Sequence, residues 1–180
     1  NEQGLTNGPP AIAVHKEINT RTSDTGYRMN GIDVLIDMPP GTGDIALSLS
    51  QYLPRGEVFV VTTPQPAAQK VAAMSAAMAE KVNLPVRGVI ENMSWFTGDD
   101  GKKYEIFGSG GGQALADDVG VPLIGQLPLV PELREGGDDG KPITAVDPES
   151  ESAKIFHEMA RQIAVDMKPK KIYSPELKIL

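Results

Sequence analysis

Asp33-Val34-Leu35-Ile36-Asp37-Met38-Pro39-Pro40-Gly41-Thr42-Gly43-Asp44 is a short apolar run, an acid at its end, and a Pro/Gly-rich turn into a helical pattern. Val34, Leu35 and Ile36 do not alternate with polar residues, which suits a strand buried on both faces of a parallel sheet. Asp37 then stands at the strand's carboxyl end, where open α/β sheets bind ligands. A carboxylate there can hold a hydrated Mg²⁺ beside a nucleotide's phosphates. The turn through Pro39, Pro40, Gly41, Thr42 and Gly43 can bring backbone N–H groups toward the terminal phosphate. Taken alone, an apolar strand ending in Asp is more often an ordinary strand end followed by a helix cap.

On the amino side of this stretch, residues 1–30 are rich in Asn, Thr, Gly and Pro and carry no sustained period. They read as a flexible leader in which only residues 11–18 suggest a short strand or turn. On the carboxyl side, strand-like and helix-like segments alternate in the order that builds a parallel sheet with crossover helices. Asp44 is the expected cap of a helix over 45–53, and residues 57–62 read as the next buried strand. A helix over 67–82 carries Val71, Met74, Met78 and Val82 at helical spacing, an apolar stripe expected in the core. Residues 86–90 make a third strand that ends at Glu91-Asn92-Met93-Ser94.

Gly98-Asp99-Asp100-Gly101 predicts a hairpin turn, with residues 104–107 pairing back. Gly108-Ser109-Gly110-Gly111-Gly112 leads into a helix over 113–119. It fails the dinucleotide-binding pattern because Gln113 stands where a third glycine should be, so a flexible connection fits it at least as well as a phosphate cradle. Residues 121–127 give a fourth strand and 128–141 a long charged loop. Asp147-Pro148-Glu149 predicts the start of a helix running to Met167, with Phe156, Met159, Ile163 and Met167 on its buried stripe. Residues 168–180 form an extended basic tail.

Composition narrows the function classes. With 17 basic against 24 acidic residues the net charge is −7, a surface that repels phosphate backbones and disfavours general nucleic-acid binding. Among the 180 residues there is no cysteine, so the chain itself offers no disulfide, thiolate nucleophile or cysteine-ligated zinc or iron–sulfur centre. The apolar runs are too short to span a bilayer, which makes no membrane and a cytoplasmic location the expectation. His15 and His157 have no metal-ligand or triad context, and Ser109 lacks a Gly-x-Ser-x-Gly frame because Phe107 takes the first glycine position.

Asp37 with its turn, Thr62-Thr63-Pro64-Gln65, Glu91-Asn92 and the loop from Pro128 all follow predicted strands and would converge on one crevice. Asn92 carries an amide that can donate to and accept from an adenine edge, and it fits a helix cap or turn equally well. Asp37-Met38-Pro39-Pro40-Gly41-Thr42-Gly43-Asp44, Thr62-Thr63-Pro64-Gln65, Glu91-Asn92-Met93-Ser94, Phe107-Gly108-Ser109-Gly110-Gly111, and Arg134-Glu135-Gly136-Gly137-Asp138 with Gly140-Lys141-Pro142 together resemble the Mrp/NBP35 (ApbC) family of ParA/MinD-like P-loop ATPases. The resemblance covers residues 31 to about 167.

It implies an α/β fold, a doubly wound and mostly parallel sheet with flanking helices, incomplete at the amino-terminal side. It also implies an ATP- and Mg²⁺-dependent homodimeric hydrolase that carries or assembles iron–sulfur clusters and meets scaffold or recipient apoproteins. By position, Asp37 resembles the Walker B acid that orders Mg²⁺ through water. The turn of Pro39, Pro40, Gly41, Thr42 and Gly43 resembles the switch that senses the γ-phosphate, with Gly41 and Thr42 counted with Asp37 as the catalytic residues the resemblance implies. Asn92 resembles the adenine-contacting amide, and Pro128 the segment lining the base pocket.

Two departures qualify it. Gly-Lys pairs occur only at Gly101-Lys102 and Gly140-Lys141, followed by Lys103 and Pro142, so no Walker A loop ends in Ser or Thr here. The resemblance also implies a Cys-x-x-Cys pair shortly after the Asn-Met-Ser motif, as in many members; here that region, Thr97 through Lys103, has no thiol, so soft-ligand cluster binding is not available there. The expected organisation is a leader over 1–30, a partial ATPase domain over 31–167 and a tail over 168–180, with an exposed sheet edge at the Asp33 strand. The leading expectation is the carboxyl-terminal part of such an ATPase, inactive alone. The alternative is a non-enzymatic, degenerate interaction module that pairs with a full-length ATPase. A partition-type ATPase working on DNA or membrane fits the acidic balance poorly.

Overall fold

The computed structural model describes residues 11–16, 33–38, 43–53 and 56–167. Its strands are Ala11–Lys16 (β1), Asp33–Asp37 (β2), Gly56–Thr62 (β3), Val86–Glu91 (β4), Phe96–Thr97 (β5), Lys103–Tyr104 (β6) and Leu123–Gln126 (β7). The helices are Gly43–Tyr52 (α1), Pro66–Lys81 (α2), Gly111–Val119 (α3), Pro131–Asp138 (α4), Ile143–Val146 (α5) and Glu151–Arg161 (α6), the last running into a π-helical turn over Gln162–Asp166.

Five strands form one sheet in the order β2-β1-β3-β4-β7. Strand β3 pairs parallel with β4, and β4 with β7. Strand β1 is antiparallel to both β2 and β3, so β2 runs in the same direction as β3 although the two do not touch. The sheet is therefore parallel except for one strand inserted near its β2 end. The leader expected over 1–30 contributes that strand; its other residues, and the tail over 168–180, lie outside the described residues.

Helices lie on both faces. Val58, Val60, Val86 and Val89 pack with Ala72, Ala76 and Ala79 of α2 and with Leu115 and Ala116 of α3. On the other face Phe59, Ile90, Ile124 and Leu127 meet Met159 of α6, flanked by Ile155, Phe156, Ile163 and Met167. Strand β3 makes the alternation plain, with Val58 and Val60 on one face and Phe59 on the other. Helix α1 extends the first layer, setting Ala46 and Leu49 against Ile36, Met38, Met78 and Val82.

Several expectations change. Leu35 is 66% exposed rather than buried, because β2 is the edge strand and α6 lies over the opposite end of the sheet. On α2 the packed stripe is Ala72, Ala76 and Ala79, while Met74 is 63% exposed. Small side chains let this helix approach the β-branched face of the sheet closely, which a count of large apolar residues does not detect. Part of the loop over 128–141 is helical: Pro131 opens α4, Glu132 sits in its first turn, and Arg134 pairs with Asp138 at 3.1 Å. Two adjacent glycines, Gly136 and Gly137, had hidden that pattern.

Helix α6 begins later than Asp147, with Ser150 as cap accepting from the Ala153 N–H. Helix α1 begins at Gly43, which places Asp44 within its first turn. The hairpin is shorter than expected, pairing Phe96 with Tyr104 and Thr97 with Lys103.

Candidate functional site

The carboxyl ends of β2, β3, β4 and β7 share one edge of the sheet, and the polar turns that the sequence singled out follow them. At the β4 end the geometry is closely determined. Glu91 is 1% exposed, and its carboxylate accepts from the Ser94 hydroxyl at 2.8 Å, the Gln126 amide at 2.7 Å and the Gly112 N–H. The Asn92 N–H donates to the Thr62 carbonyl at 2.8 Å and ties the turn to β3. The Ser94 N–H donates to the Leu127 carbonyl at 2.9 Å, and the Leu127 N–H donates to the Glu91 carbonyl at 2.8 Å, which ties it to β7. Met93, between them, holds φ at +57°, a left-handed conformation that a non-glycine residue keeps only where its surroundings enforce it.

Within that turn the Asn92 side chain accepts from the Met93 N–H at 2.9 Å, which leaves its amide N–H groups as the donors available to an adenine ring nitrogen. Pro128 is fully buried directly after β7. At the β2 end, Asp37 is exposed and Met38 behind it is buried. Asp37 stands in register with Ile12 of β1, and Ile12 with Phe59 of β3. Three strand spacings therefore separate the β2 end from the β4 end, roughly 14 Å across the sheet. Pro39, Pro40, Gly41 and Thr42 lie outside the described residues, and Gly43 is the first residue of α1.

An exposed carboxylate at a strand end, as at Asp37, is of the kind that can hold a hard, hydrated cation such as Mg²⁺ through water, and the Asn92 amide is of the kind that can bond a base; Pro128 is fully buried and lies behind that turn's neighbouring segment. Among the described residues no group of three His, Cys, Asp or Glu side chains could hold a metal ion by itself. His157 is exposed on α6.

The Gly-rich segment before α3 is not an open anion cradle. A Cβ on Gly112 would stand 2.6 Å from Glu91 Cβ, and one on Gly111 would stand 2.5 Å from the Pro64 carbonyl oxygen. The helix's positive end is thus already met by a protein carboxylate. Over the thiol-free stretch Thr97 through Lys103, β5 and β6 form a hairpin closed by Asp100. Its carboxylate accepts the Lys102 N–H at 3.0 Å and the Tyr104 hydroxyl at 2.9 Å, bonds that hold it below the usual carboxylate range.

The Glu91, Gln126 and Gly112 cluster is what sequence reasoning missed. An acid closing a run of β-branched residues, followed about twenty residues later by consecutive glycines, was the signal available.

An open, mostly parallel sheet with polar turns along its carboxyl edge places the chain among the α/β proteins whose ligands bind at that edge. Residues 11–164 match the family model described as ParA: NUBPL iron-transfer P-loop NTPase. The chain belongs to this family, the Mrp/NBP35 type of ParA/MinD-like P-loop ATPases. An iron-sulfur cluster carrier protein of Pseudomonas fragi is 47% identical over 155 residues, 85% of this chain and 52% of that protein. One from Synechocystis sp. is 45% identical over 143 residues, 77% of this chain and 40% of that protein. The chain thus spans about two-fifths to half the length of these curated relatives. Among solved structures, the septum site-determining protein MinD complexed with Mg-ADP from Pyrococcus horikoshii OT3 aligns with a TM-score of 0.48 at 23% identity, over 59% of this chain and 41% of that one.

Proposed function

We propose that this chain supplies the carboxyl-edge half of a Mg²⁺–ATP site in an iron–sulfur cluster carrier of the Mrp/NBP35 type, acting as a homodimer with scaffold or recipient apoproteins as partners. Asp37 orders the metal through water. The segment Pro39, Pro40, Gly41, Thr42 and Gly43 senses the γ-phosphate, while Asn92 contacts the base and Pro128, fully buried, backs the segment that lines it. ATP binding and hydrolysis then drive delivery of the cluster, which is cargo. Its thiolate ligands come from outside these 180 residues, because none of them is cysteine.

The observation that carries this reading is the placement of the β2, β4 and β7 exits along one sheet edge. Bound Mg²⁺ supplies charge neutralisation at the β- and γ-phosphates. The chain's own residues orient the cation and the base. With no Gly-Lys-Ser/Thr cradle in the sequence, the isolated chain is expected to bind Mg·ATP far more weakly than micromolar and to hydrolyse it little, if at all.

Titration with Mg·ATP followed by backbone NMR tests the reading. Shifts at both the Asp37 and Asn92 turns are expected, with those at Asp37 lost when Mg²⁺ is removed; silence at both turns overturns the site. Micromolar binding by calorimetry would instead show that the cradle is dispensable.

A further inference from the structure

We infer that Glu91 is the positioning residue of the base subsite: its buried carboxylate fixes the Asn92 turn, the start of α3 and the exit of β7 toward Pro128 as one unit. The inference rests on the reading of Asn92 as the adenine contact and names what sets that contact's geometry.

Among the described residues two glutamates are buried, Glu57 and Glu91, and they differ in kind. Glu57 faces the Arg87 guanidinium at 2.9 Å, a cation–anion pair at the amino end of β3 and β4. Glu91 takes its three described hydrogen bonds from uncharged donors, the Ser94 hydroxyl, the Gln126 amide and the Gly112 backbone N–H. Burying a carboxylate in that way is costly, and a strand end that needed only packing would be served by an apolar residue. The arrangement nevertheless joins three segments distant in sequence: Ser94 closes the turn, Gln126 is the last residue of β7, and Gly112 lies in the first turn of α3.

All three constrain Asn92. The residue is flanked by Glu91 and by Met93 at φ +57°, and its own N–H is committed to the Thr62 carbonyl. With both neighbours fixed, the Asn92 side chain retains little freedom beyond the rotamer in which its oxygen accepts the Met93 N–H. The Ser94 N–H donates to the Leu127 carbonyl and the Leu127 N–H to the Glu91 carbonyl, so the turn and the segment that leads to Pro128 move together. Preorganisation of this kind contributes to selectivity by removing the cost of ordering the donor on binding.

Glutamine at position 91 can preserve the geometry. Its oxygen accepts the Gly112 N–H, and its amide donates to the Ser94 oxygen and to Gln126 once that amide is reversed. Alanine preserves none of the three bonds.

The experiment uses the full 180-residue chain, with adenosine and guanosine as probes because neither needs a phosphate cradle. Affinities come from NMR titration, and amide hydrogen exchange is recorded for the wild type, Glu91→Ala, Glu91→Gln, Gln126→Met and Asn92→Ala. For Glu91→Ala, exchange is expected to accelerate at Met93, Ser94 and Gly112 but not at Phe59 or Val60. Adenosine affinity should fall about five- to tenfold, the loss of one positioned hydrogen bond, with guanosine changing less than about twofold. Glu91→Gln should lower thermal stability yet keep the adenosine preference, a separation that a purely structural role would not produce. Gln126→Met should show a weaker form of the alanine effect and serves as the reporter if Glu91→Ala does not fold.

Unchanged exchange in the turn overturns the inference, as does accelerated exchange with the adenosine preference intact. A wild type with no preference, or one that Asn92→Ala leaves untouched, overturns the base-site reading itself and the ligand part of this inference with it.

Discussion

The two ends of the same sheet edge are built differently. At the β4 and β7 end, the buried Glu91 carboxylate ties the Asn92 turn to β7 and to the start of α3, Met93 in that turn is left-handed, Pro128 after β7 is fully buried, and α3 and α6 cover the two faces. At the β2 end, Asp37 is exposed, Leu35 beside it is 66% exposed, and the neighbouring strand runs against the direction of the rest. A base needs a shaped, prearranged donor. A hydrated cation needs a carboxylate that water can reach, so low burial at Asp37 suits its proposed task. The difference also says where stability resides: substitutions at the covered end should unfold the chain, and those at β2 should not.

The largest effect should come from Phe59→Ala. Phe59 is 1% exposed in the core beneath α6, and its loss should cost about 3–5 kcal/mol by denaturant unfolding. Next, Gly112→Ala pushes a methyl group toward Glu91 Cβ and should cost about 1–3 kcal/mol while accelerating exchange across the Asn92 turn. If it proves neutral, the start of α3 is looser than described and the contrast between the two ends weakens. By comparison, Leu35→Ala and Asp37→Ala should each change stability by less than about 0.5 kcal/mol. Asp37→Ala should still remove any Mg²⁺ dependence of nucleotide binding, measured by titration with and without the metal. A large destabilisation from either would place β2 within the core and erase the distinction.

The smallest effect concerns an exposed pair on α6. The Arg161 guanidinium, with help from Gln162, lowers the Glu158 carboxyl from 4.5 to about 2. A group whose folded value is depressed stabilises the fold above its unfolded value, and that contribution is lost as pH falls from about 4.5 toward 2. Arg161→Gln should flatten this part of the stability–pH curve slightly, as read by denaturant titration across that window. The pair is solvent-screened, so a pronounced change would mean that α6 is more tightly docked than its exposed face implies.

Much of the architecture was legible from local pattern. Strands that end in Asp37, Thr62 and Glu91, helices opened by Pro66 and by the Gly-rich turn, and the stripe through Phe156, Met159, Ile163 and Met167 all follow from periodicity and punctuation. Where local pattern misled, the cause was contact with something distant. The packed face of α2 was masked because alanine carries little hydrophobic signal, although it permits the closest helix–sheet approach. Leu35 read as core because its neighbours are β-formers, but exposure depends on which strand lies at the edge and how far α6 reaches.

The sequence by itself determined the alternation of strands and helices, the order of five polar motifs and the lack of any thiolate ligand, because spacing and residue chemistry are carried in one dimension. Only the tertiary structure decided that β1 enters the sheet against its neighbours, that the Gly-rich turn receives a carboxylate instead of offering an anion site, and that Glu91 joins the Asn92 turn, the end of β7 and the start of α3. Each of these depends on hydrogen bonds between residues many positions apart. No local periodicity encodes such bonds, since their partners are chosen by how the layers stack.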